Sequence, residues 1–354
     1  MAFDVSKHAV LHFSTGKTMR GGERQVLLLH KGLLERGIKS YVLCRKGGEL
    51  AHKTFENKIP ISWFGEWDLP AFFNLIRICK INHPTIIHCH DAHALAHSSA
   101  AGAMLSTPVV YTRRVIFPIG SSRLSRRKYA SCAAIIAVSE AVAEKCIEAV
   151  PSSRVFIVGD GVDLSSTMLP RSEARRRLGL PDDLFVIGTV AHFTREKDFT
   201  LVYYCASRLE AEKDDARLVC IGPYSDNKKR RQTLPESLLL TGPLDNAVQY
   251  YSAFDAYIST SSKEGLGSAL LDAVIRNIPT VAVDAEGTRD LFPENWHLIR
   301  RGDYDGFSTA VLHLMDNYKS AKRDAETCGA RARDVFTAGL IIDKTLEVYA
   351  TVHG

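Results

Sequence analysis

The sequence predicts an α/β protein made of two domains, each with a doubly wound parallel sheet covered by helices on both faces. Three observations lead to this prediction. The chain has 354 residues, which is long for one hydrophobic core and suits two domains of common size. Short apolar segments alternate with amphipathic ones along the chain, as expected for buried parallel strands joined by helices. The alternation pauses only once, near the middle of the chain.

The first half of the chain contains a series of strand candidates separated by helical patterns. The helical segment 22–37 is typical, since it begins after Gly21-Gly22 and stops at Gly37, and glycine is common just past a helix end. The strand candidates are HAVLHFS (8–14), SYVLCR (40–45), PISWF (60–64), TIIHCH (85–90), PVVYT (108–112), AAIIAVS (133–139) and RVFIVG (154–159).

The second half repeats this alternation. Its strand candidates are LFVIGTVAHF (184–193), RLVCIG (217–222), LLLTG (238–242), AYIST (256–260), TVAVD (280–284) and HLIRRG (297–302). We therefore place the domains at 1–163 and 183–332, with a linker at 164–182 and a final helical segment at 333–354. Ligands bind beyond the carboxyl ends of parallel strands. Two such Rossmann-like domains are expected to face each other across a cleft, with the chemistry in the loops after the strands.

Charge is distributed unevenly along the chain. The net charge is +5, yet residues 1–165 hold 21 basic and 13 acidic residues, whereas the remainder holds 24 and 27. No acidic residue occurs between Asp91 and Glu140, and the basic run RRVIFPIGSSRLSRRK (113–128) lies in that window. A basic first half indicates an anionic partner, which is an acidic acceptor, a lipid surface or nucleic acid.

The composition also predicts where the protein works. The sequence has no apolar run of the roughly 18 residues that a membrane span requires. The first residues, MAFDVSKHAVLHFS, lack the basic and apolar regions of a secretion signal. The eight cysteines are scattered, several of them within strand candidates. We expect a cytosolic protein without a disulfide framework.

The segment SSKEGLGSALLDAV (261–274) has the strongest site pattern. It follows a strand candidate and begins a helix, and Gly265, Leu266 and Gly267 would present backbone N–H groups there, a favourable place for phosphate. Asp272 lies one to two turns into the helix, where a carboxylate can accept hydrogen bonds from ribose hydroxyls. Glu264 precedes the phosphate contacts. This order indicates a sugar nucleotide, with Glu264 facing the sugar.

Two further loops supply groups suited to anions. In VAHFTREKDF (190–199), the cations His192, Arg195 and Lys197 follow the first strand of the second domain and suit a diphosphate. In HFSTGKTMRGGERQ (12–25), Gly21 and Gly22 begin a helix whose free N–H groups favour an anion, and Arg24 follows them. The Gly-Lys-Thr in this loop is not a phosphate-binding P-loop, because that motif requires a glycine at the position of Leu11.

The sequence spacing of the residues that could bind a metal argues against a metal site. Two segments carry metal-ligating residue types, namely His88, His90, His93 and His97 in one and Asp303 and Asp305 in the other. The first pair of histidines shares a strand face while the second pair begins a helix, and the aspartates occupy a surface turn. We therefore expect no metal, and we place His90 and Asp91 at a strand end, lining the cleft.

Taken together, these motifs resemble the retaining glycosyltransferases of family 4, which have the GT-B fold. The resemblance covers most of the chain in the right order. It rests chiefly on EGLGSALLDA (264–273), which is similar to the Glu-x7-Glu signature. GGERQ (21–25), AVSEAV (137–142), GDGVDL (159–164) and DAEGTRDL (284–291) resemble further segments of the family.

The resemblance implies roles for individual residues. Lys197 and His192 would hold the donor diphosphate, Asp272 the ribose and Glu264 the donor sugar, while Gly22 would approach the phosphates from the first domain. The last helix would cross back onto the first domain.

The chain also departs from the family pattern. It has His192 where the family usually has Arg, Asp272 in place of the second Glu, and Arg113-Arg114 where many members have a His. The two arginines indicate an acidic acceptor or an acidic sugar.

The resemblance implies a metal-independent enzyme that moves a sugar from a nucleotide-diphosphate donor to a hydroxyl group, with retained anomeric configuration. We favour a UDP-sugar over a GDP- or ADP-sugar, and a cell-surface glycan or glycolipid acceptor such as lipopolysaccharide core. No cofactor is expected besides the co-substrate, and the basic first domain suggests peripheral contact with an anionic membrane. Two alternatives remain open. One is a sugar-nucleotide 2-epimerase, and the other is an anion- or nucleic-acid-binding protein with a decayed cleft.

Overall fold

The structure is a computed structural model that describes residues 8–120, 122–224, 234–293 and 296–353. The chain divides into two compact units. The first unit comprises Met1–Gly161 together with Phe336–Gly354, and the second comprises Val162–Val335. The C-terminal segment thus belongs to the same unit as the N-terminal half of the chain.

The first unit alternates strands and helices. Its strands are β1 (Ala9–Ser14), β2 (Lys39–Arg45), β3 (Lys58–Ile61), β4 (Ile86–Cys89), β5 (Val109–Arg113), β6 (Ala134–Ala137) and β7 (Val155–Ile157). Its helices are α1 (Gly21–Glu35), α2 (Glu49–His52), α3 (Leu69–Asn82), α4 (Ala92–Leu105), α5 (Arg123–Ala130), α6 (Glu140–Ile147) and, at the end of the chain, α12 (Ala338–Thr351).

The first sheet has the order β3-β2-β1-β4-β5-β6-β7, and neighbouring strands are parallel. The strand order reverses between β1 and β4, where His12 pairs in register with His88. Such a switch point opens a crevice at the carboxyl ends of the two strands. The loops after β1 and β4 therefore border the ligand-binding edge of this unit.

Helix α1 shows how local sequence sets an element of this unit. Arg20 has an extended backbone and precedes the helix, and Glu23 in the first turn complements the positive end of the helix dipole. The helix is followed by Arg36 and by Gly37, whose φ of 76° is in the left-handed region that glycine adopts without strain. The predicted helix is thus confirmed, with observed bounds of Gly21–Glu35.

The second unit is built in the same way. Its strands are β8 (Phe185–Val190), β9 (Ala216–Ile221), β10 (Leu238–Gly242), β11 (Ala256–Ser259) and β12 (Thr280–Ala282). Its helices are α7 (Arg171–Leu178), α8 (Phe199–Glu212), α9 (Ser268–Val274), α10 (Tyr304–Asp316) and α11 (Tyr318–Phe336), the last residue of which is assigned to the first unit. The parallel sheet has the order β10-β9-β8-β11-β12. Its switch point lies between β8 and β11.

The segment expected to be a linker, residues 164–182, belongs to the second unit and contains helix α7. Within this helix the side chain of Arg175 is completely buried. Its guanidinium donates to a carboxylate oxygen of Asp255 at 2.7 Å and to the carbonyl oxygen of Leu184 at 2.9 Å. A charged side chain can be buried when it is paired and hydrogen-bonded in this way.

Two other expectations can be compared with the structure. The last strand candidate, residues 297–302, forms only an isolated bridge between Val283 and Ile299, because the chain turns at Gly302, whose φ is 85°, and enters α10. The eight cysteines are free and buried, as expected. Among the described residues, no helix combines the length and the apolar character needed to cross a membrane.

Candidate functional site

The loops after β8 and β11 meet at the switch point of the second unit. The ammonium group of Lys197, after β8, forms an ion pair with the carboxylate of Glu264, after β11. The hydroxyl of Thr260 donates to the carbonyl oxygen of Lys197 at 2.6 Å. The N–H of Ser262 donates to the carbonyl oxygen of Glu196 at 2.7 Å. Two residues singled out from separate motifs thus face each other, 67 positions apart in sequence.

This ion pair is accessible from solvent. The side chain of Lys197 is 25% exposed and that of Glu264 is 16% exposed, so a ligand can reach both charges. After Glu264 the chain buries Leu266 and passes through Gly267, whose φ is 91°, into helix α9. No side chain caps the start of this helix. The backbone therefore runs beside the ion pair in a conformation that only glycine adopts readily at position 267.

Asp272 is more enclosed than a simple ribose-binding carboxylate would require. Its side chain is 2% exposed and accepts a hydrogen bond at 2.8 Å from Arg276, one helical turn later. The guanidinium of Arg276 lies 5.9 Å from the ring centre of Tyr251. Burial raises the pKa of the nearby Tyr257, and the negative charges of Glu264 and Asp272 raise it further. Both carboxylates thus act on the same buried ring.

The other predicted cation of this unit, His192, lies in the loop after β8. It is partly buried, and its carbonyl oxygen accepts a hydrogen bond from the N–H of Thr194 at 2.7 Å. That contact tightens the turn leading into the short helical segment Arg195–Lys197. His192 and Lys197 therefore lie on one short loop at the same strand end.

Sequence reasoning missed two residues that shape this site. Arg276 could have been found, since a basic residue four positions after Asp272 on a helix is a recognisable pairing signal. Gly287 could not have been assigned its contact. A Cβ atom at Gly287 would lie 2.0 Å from the carbonyl oxygen of Gly265 and 2.6 Å from that of Glu264. The segment after β12 therefore packs directly on the backbone of the Glu264 loop.

In the first unit, the predicted residues after β1 lie at the start of α1. Gly21 and Gly22 are its first two residues, and Arg24 is exposed. A Cβ on Gly22 would lie 3.8 Å from Cδ of Arg114, so the helix start and Arg114 are neighbours. Arg114 in turn donates to Asp160 at 3.0 Å. These residues form a polar group at the carboxyl edge of the first sheet.

The residues predicted after β4 are held by internal hydrogen bonds. The carboxylate of Asp91 accepts from the N–H of Thr15 at 2.7 Å and from the N–H of Ala94 at 2.8 Å. It therefore ties the loop after β1 to the first turn of α4. A ring nitrogen of His90 lies 2.9 Å from one of His12.

Arg113 was expected beside the substrate, but the structure places it in the core of the first unit. It is 2% exposed. Its guanidinium donates to the hydroxyl of Tyr129 at 2.9 Å and to the carbonyl oxygen of Phe117. The physical reason is the alternation of strand side chains, which points neighbouring residues at the end of β5 to opposite faces. Arg113 thus anchors the following loop, while Arg114 is the partly exposed member of the pair.

Among the described residues, one group could place three metal-ligating atoms within 4.8 Å of one another, and it consists of His12, His88 and His90. No carboxylate or thiolate belongs to this group. His88 is bonded on both sides, with one ring nitrogen 2.6 Å from the hydroxyl of Tyr349 and the other 2.7 Å from that of Thr112. The contacts describe a hydrogen-bonded histidine network inside the core.

The other residues considered for a metal have structural contacts. His93 lies 2.8 Å from the carboxylate of Glu66, and a ring nitrogen of His97 lies 3.0 Å from the carbonyl oxygen of Asp68. Asp303 accepts from the N–H of Gly306 at 2.8 Å and so caps α10. These residues do not join the group of three histidines.

Two family models match consecutive parts of the chain. Residues 19–166 match the model described as Glycosyltransferase Family 4, and residues 170–333 match that described as Glycosyl transferases group 1. The two matches correspond to the two structural units. They include helix α1 in the first unit and both Lys197 and Glu264 in the second.

Individual relatives are distant. The chain is 28% identical over 205 residues to the GDP-mannose-dependent alpha-mannosyltransferase of Mycolicibacterium smegmatis (strain ATCC 700084 / mc(2)155), a match of 57% of this chain and 52% of that protein. It thus spans about half the length of that relative. It is 23% identical to the lipopolysaccharide core biosynthesis glycosyltransferase LpsE of Rhizobium meliloti (strain 1021), covering 97% of this chain and 99% of the relative.

Similarity to a solved structure extends over nearly the whole chain. The crystal structure of Anabaena Alr3699/HepE in complex with UDP and glucose matches with a TM-score of 0.82 and 17% identity, and the match covers 97% of this chain and 100% of that one. At this identity the match shows the fold alone. Together with the two family matches, it leads to one conclusion: the chain belongs to glycosyltransferase family 4 and has the GT-B fold.

Proposed function

We propose that this glycosyltransferase moves a sugar from a nucleotide-diphosphate donor, with a UDP-sugar favoured, to a hydroxyl group of a cell-surface glycan or glycolipid such as lipopolysaccharide core. The observation that carries the proposal is the solvent-accessible ion pair of Lys197 and Glu264 at the switch point of the second sheet. The solved relative described above binds UDP and glucose, and LpsE acts in lipopolysaccharide core biosynthesis. Both features support the choice of donor and acceptor class.

The chemistry requires stabilisation of negative charge. As the bond between sugar and diphosphate breaks, charge develops on the phosphate oxygens, and positioned cations lower the barrier most when they are already in place. We assign this task to Lys197 and His192. The hydrogen bonds from Thr260 and Ser262 hold the Lys197 loop beside the Glu264 loop. The ammonium group of Lys197 is therefore positioned before the donor arrives.

Glu264 and Asp272 would bind the two ends of the donor. A carboxylate accepts hydrogen bonds from hydroxyl groups, and we assign the sugar hydroxyls to Glu264 and the ribose hydroxyls to Asp272. Between them, the backbone N–H groups of Gly265, Leu266 and Gly267 are assigned to the diphosphate. The order of these residues along the chain then matches the order of groups in a sugar nucleotide.

We propose that transfer retains the anomeric configuration and proceeds without a divalent cation. The acceptor hydroxyl attacks on the face from which the diphosphate leaves, and a phosphate oxygen takes its proton. Lys197 and His192 supply positive charge that a metal ion would otherwise provide. Proton NMR of the product measures the anomeric coupling, and activity in the presence of a chelator tests the second part.

The first unit would receive the acceptor. Gly21 and Gly22 begin a helix of 15 residues, and Arg24, His90 and Arg114 lie at the same sheet edge, so an acceptor with acidic groups would be favoured there. We further propose that the enzyme works on the cytoplasmic side of a membrane that carries the acceptor, and that its contact with that membrane is peripheral.

Calorimetric titration with UDP, GDP and ADP tests the donor site. We expect UDP to bind and Lys197→Ala to weaken binding by roughly 10- to 100-fold, the usual loss for one hydrogen bond to a charged group. Glu264→Ala should weaken binding of the sugar nucleotide more than binding of UDP, because the proposed contact of Glu264 is with the sugar. Lys213→Ala is the matched control, since Lys213 pairs with Asp316 on the surface.

The outcomes separate the possibilities. If none of the three nucleotides binds at roughly millimolar concentration, the range of weak ligands, the proposal fails. If a sugar nucleotide is converted to its epimer without any acceptor, the enzyme is an isomerase instead. Release of free UDP only when an acceptor is added would support transfer.

A further inference from the structure

A group of exposed apolar side chains stands out on the first unit. Phe64 and Trp67, in the loop between β3 and α3, are 88% and 84% exposed, and Leu69 and Phe73, in the first turns of α3, are 64% and 63% exposed. Single exposed apolar residues are common, but several large ones close together mark an interaction site. Trp63 in the same segment is only 5% exposed, so the chain alternates here between a core contact and an outward aromatic ring.

Helix α3 extends this group along the surface. Its inner face is apolar and buried, through Ala71, Leu75, Ile76 and Cys79. Leu69, Phe73 and Arg77 follow one another at intervals of four residues, so they lie on one face, and all three are exposed. Lys80 and Ile81 continue that exposed face by one more turn. The outer face of α3 is therefore both apolar and basic.

Helix α5 adds further positive charge beside the loop. Arg123, Arg126 and Arg127 are exposed, as is Leu124 at 62%. Two contacts place the end of this helix next to the loop and α4, because Nζ of Lys128 lies 3.5 Å from the carboxylate of Glu66 and 3.0 Å from the carbonyl oxygen of Ala92. We call the exposed residues of the loop, α3 and α5 the aromatic-basic surface. They are Phe64, Trp67, Leu69, Phe73, Arg77, Lys80, Ile81, Arg123, Leu124, Arg126 and Arg127.

The acidic residues next to this surface are already used within the protein. The carboxylate of Glu66 contacts both Lys128 and His93, at 3.5 and 2.8 Å. Asp68 accepts from the N–H of Ala71 at 3.0 Å and from that of Phe64 at 2.9 Å, so it caps α3 and fixes the loop. These contacts partly neutralise the acids, and the charge presented outward is positive.

We propose that the aromatic-basic surface docks the enzyme on an anionic phospholipid membrane. Aromatic rings with exposed edges settle at the level of lipid headgroups, and Lys and Arg are attracted to anionic headgroups while their apolar stems stay at the interface. A helix with an apolar, basic outer face suits such an interface. The inference names the surface through which the membrane contact of the proposed function would occur, and rests on that function for its biological context alone.

The test is binding of the full chain to lipid vesicles, in the absence of any nucleotide. We expect co-sedimentation with phosphatidylcholine vesicles that contain phosphatidylglycerol, and much less with phosphatidylcholine alone. Salt at about 0.5 M should release the protein, because screening shortens the reach of surface charge to a few ångströms. The fluorescence of Trp67 should shift to the blue on binding, and Trp67→Phe should remove that shift, since Trp63 is already buried and Trp296 belongs to the second unit.

Matched variants locate the contact. Phe64→Ala/Trp67→Ala and Arg126→Glu/Arg127→Glu should each weaken vesicle binding by about tenfold or more, as expected when interfacial aromatic area or several charges are removed. Controls on the same unit are Ile147→Ala/Ile157→Ala, with both side chains 49% exposed, and Lys39→Glu/Lys46→Glu, with both lysines exposed. These controls should bind like the unaltered protein.

Three results would overturn the proposal. They are failure to bind vesicles that contain phosphatidylglycerol, equal binding to both vesicle types, and equal loss of binding in the variants and their controls. UDP titration of Phe64→Ala/Trp67→Ala provides an independent comparison, since these residues lie in the other unit from the Lys197 site. We expect this variant to keep its UDP affinity while vesicle binding is weakened. In the unaltered protein, UDP binding without vesicle binding would refute the docking surface alone, whereas vesicle binding without UDP binding would refute the donor assignment alone.

Discussion

At the scale of single residues, Asp272 raises the question of whether its carboxylate serves the ligand or the fold. It is 2% exposed and is paired with Arg276, which is 7% exposed. Removal of one member of a buried pair leaves an uncompensated charge and typically costs about 3–5 kcal/mol. A loss of activity on mutation of Asp272 alone would therefore be ambiguous.

A double-mutant cycle resolves that ambiguity. We expect Asp272→Ala and Arg276→Met each to lower the free energy of unfolding of the second unit by about 3 kcal/mol. The double variant should lose less than the sum, because no unpaired charge remains. UDP affinity should stay low in the double variant if Asp272 binds the ribose. Recovery of affinity together with stability would show instead that Asp272 acts only through Arg276.

Individual residues also show the limits of sequence reasoning. The loops that carry Lys197 and Glu264 could be located, because each follows a strand candidate and loops after parallel strands border the ligand-binding edge of a sheet. Arg113 and Arg175 could not be placed, since their burial depends on Tyr129 and Asp255, which are distant in sequence. A sequence shows that an arginine is present but not which buried acceptor it meets.

At the scale of elements, the segment after β12 packs against the backbone of the loop that carries Glu264. Gly287 lies so close to the Glu264 loop that a Cβ would meet the carbonyl carbon of Gly265 at 2.5 Å. A contact this short with backbone atoms cannot be relieved by a side-chain rotation, so the loop itself must shift.

We therefore expect Gly287→Ala to impair the donor site without removing any of its side chains. The shifted loop would misplace Glu264 relative to Lys197, and a displacement of about 1 Å can cost a hundredfold in activity. Sugar-nucleotide affinity and kcat/KM measure the effect. Gly339→Ala is the control, since a Cβ there meets nothing within 4 Å. It should retain affinity and stability, and equal impairment of both variants would contradict this explanation.

The elements themselves were largely predictable, because buried parallel strands leave short apolar runs in the sequence. The strand candidates from 8–14 to 280–284 correspond to β1–β12. Residues 297–302 share the apolar-basic pattern of a strand end but find no full partner strand, a property that depends on tertiary contacts rather than composition. Helix α7 was missed because residues 164–182 were interpreted as a linker, whereas Arg175 of that helix is completely buried in the second unit.

At the scale of the whole molecule, the two units differ in their buried titratable groups. His12, His88 and His90 are buried in the first unit, whereas the described histidines of the second unit, His192, His297 and His313, are not. Burial lowers the pKa of His88 to about 3, with a further effect of the nearby Arg114 charge. Burial likewise lowers the pKa values of His12 and His90. His88 lowers both pKa values further. His30 adds to the effect on His12, and Arg114 adds to that on His90.

These lowered pKa values predict that mild acid destabilises the first unit selectively. Below pH about 6.5 the unfolded chain binds protons that the folded unit does not, so stability falls as pH decreases from that value. Each such histidine contributes about 1.4 kcal/mol per pH unit in that window, and three contribute about 4. Pulse-labelling hydrogen exchange across a urea series, followed by mass spectrometry, reports each unit separately.

His88→Gln provides the decisive variant for this acid sensitivity. A glutamine side chain can still bond to the hydroxyls of Tyr349 and Thr112, which His88 contacts at 2.6 and 2.7 Å, but it does not titrate. We expect the slope of stability against pH for the first unit to fall by roughly 1.4 kcal/mol per pH unit. His52→Gln, at an exposed position, should leave the slope unchanged. An unchanged slope in His88→Gln would show that carboxyl groups, rather than the buried histidines, set the acid limit of this unit.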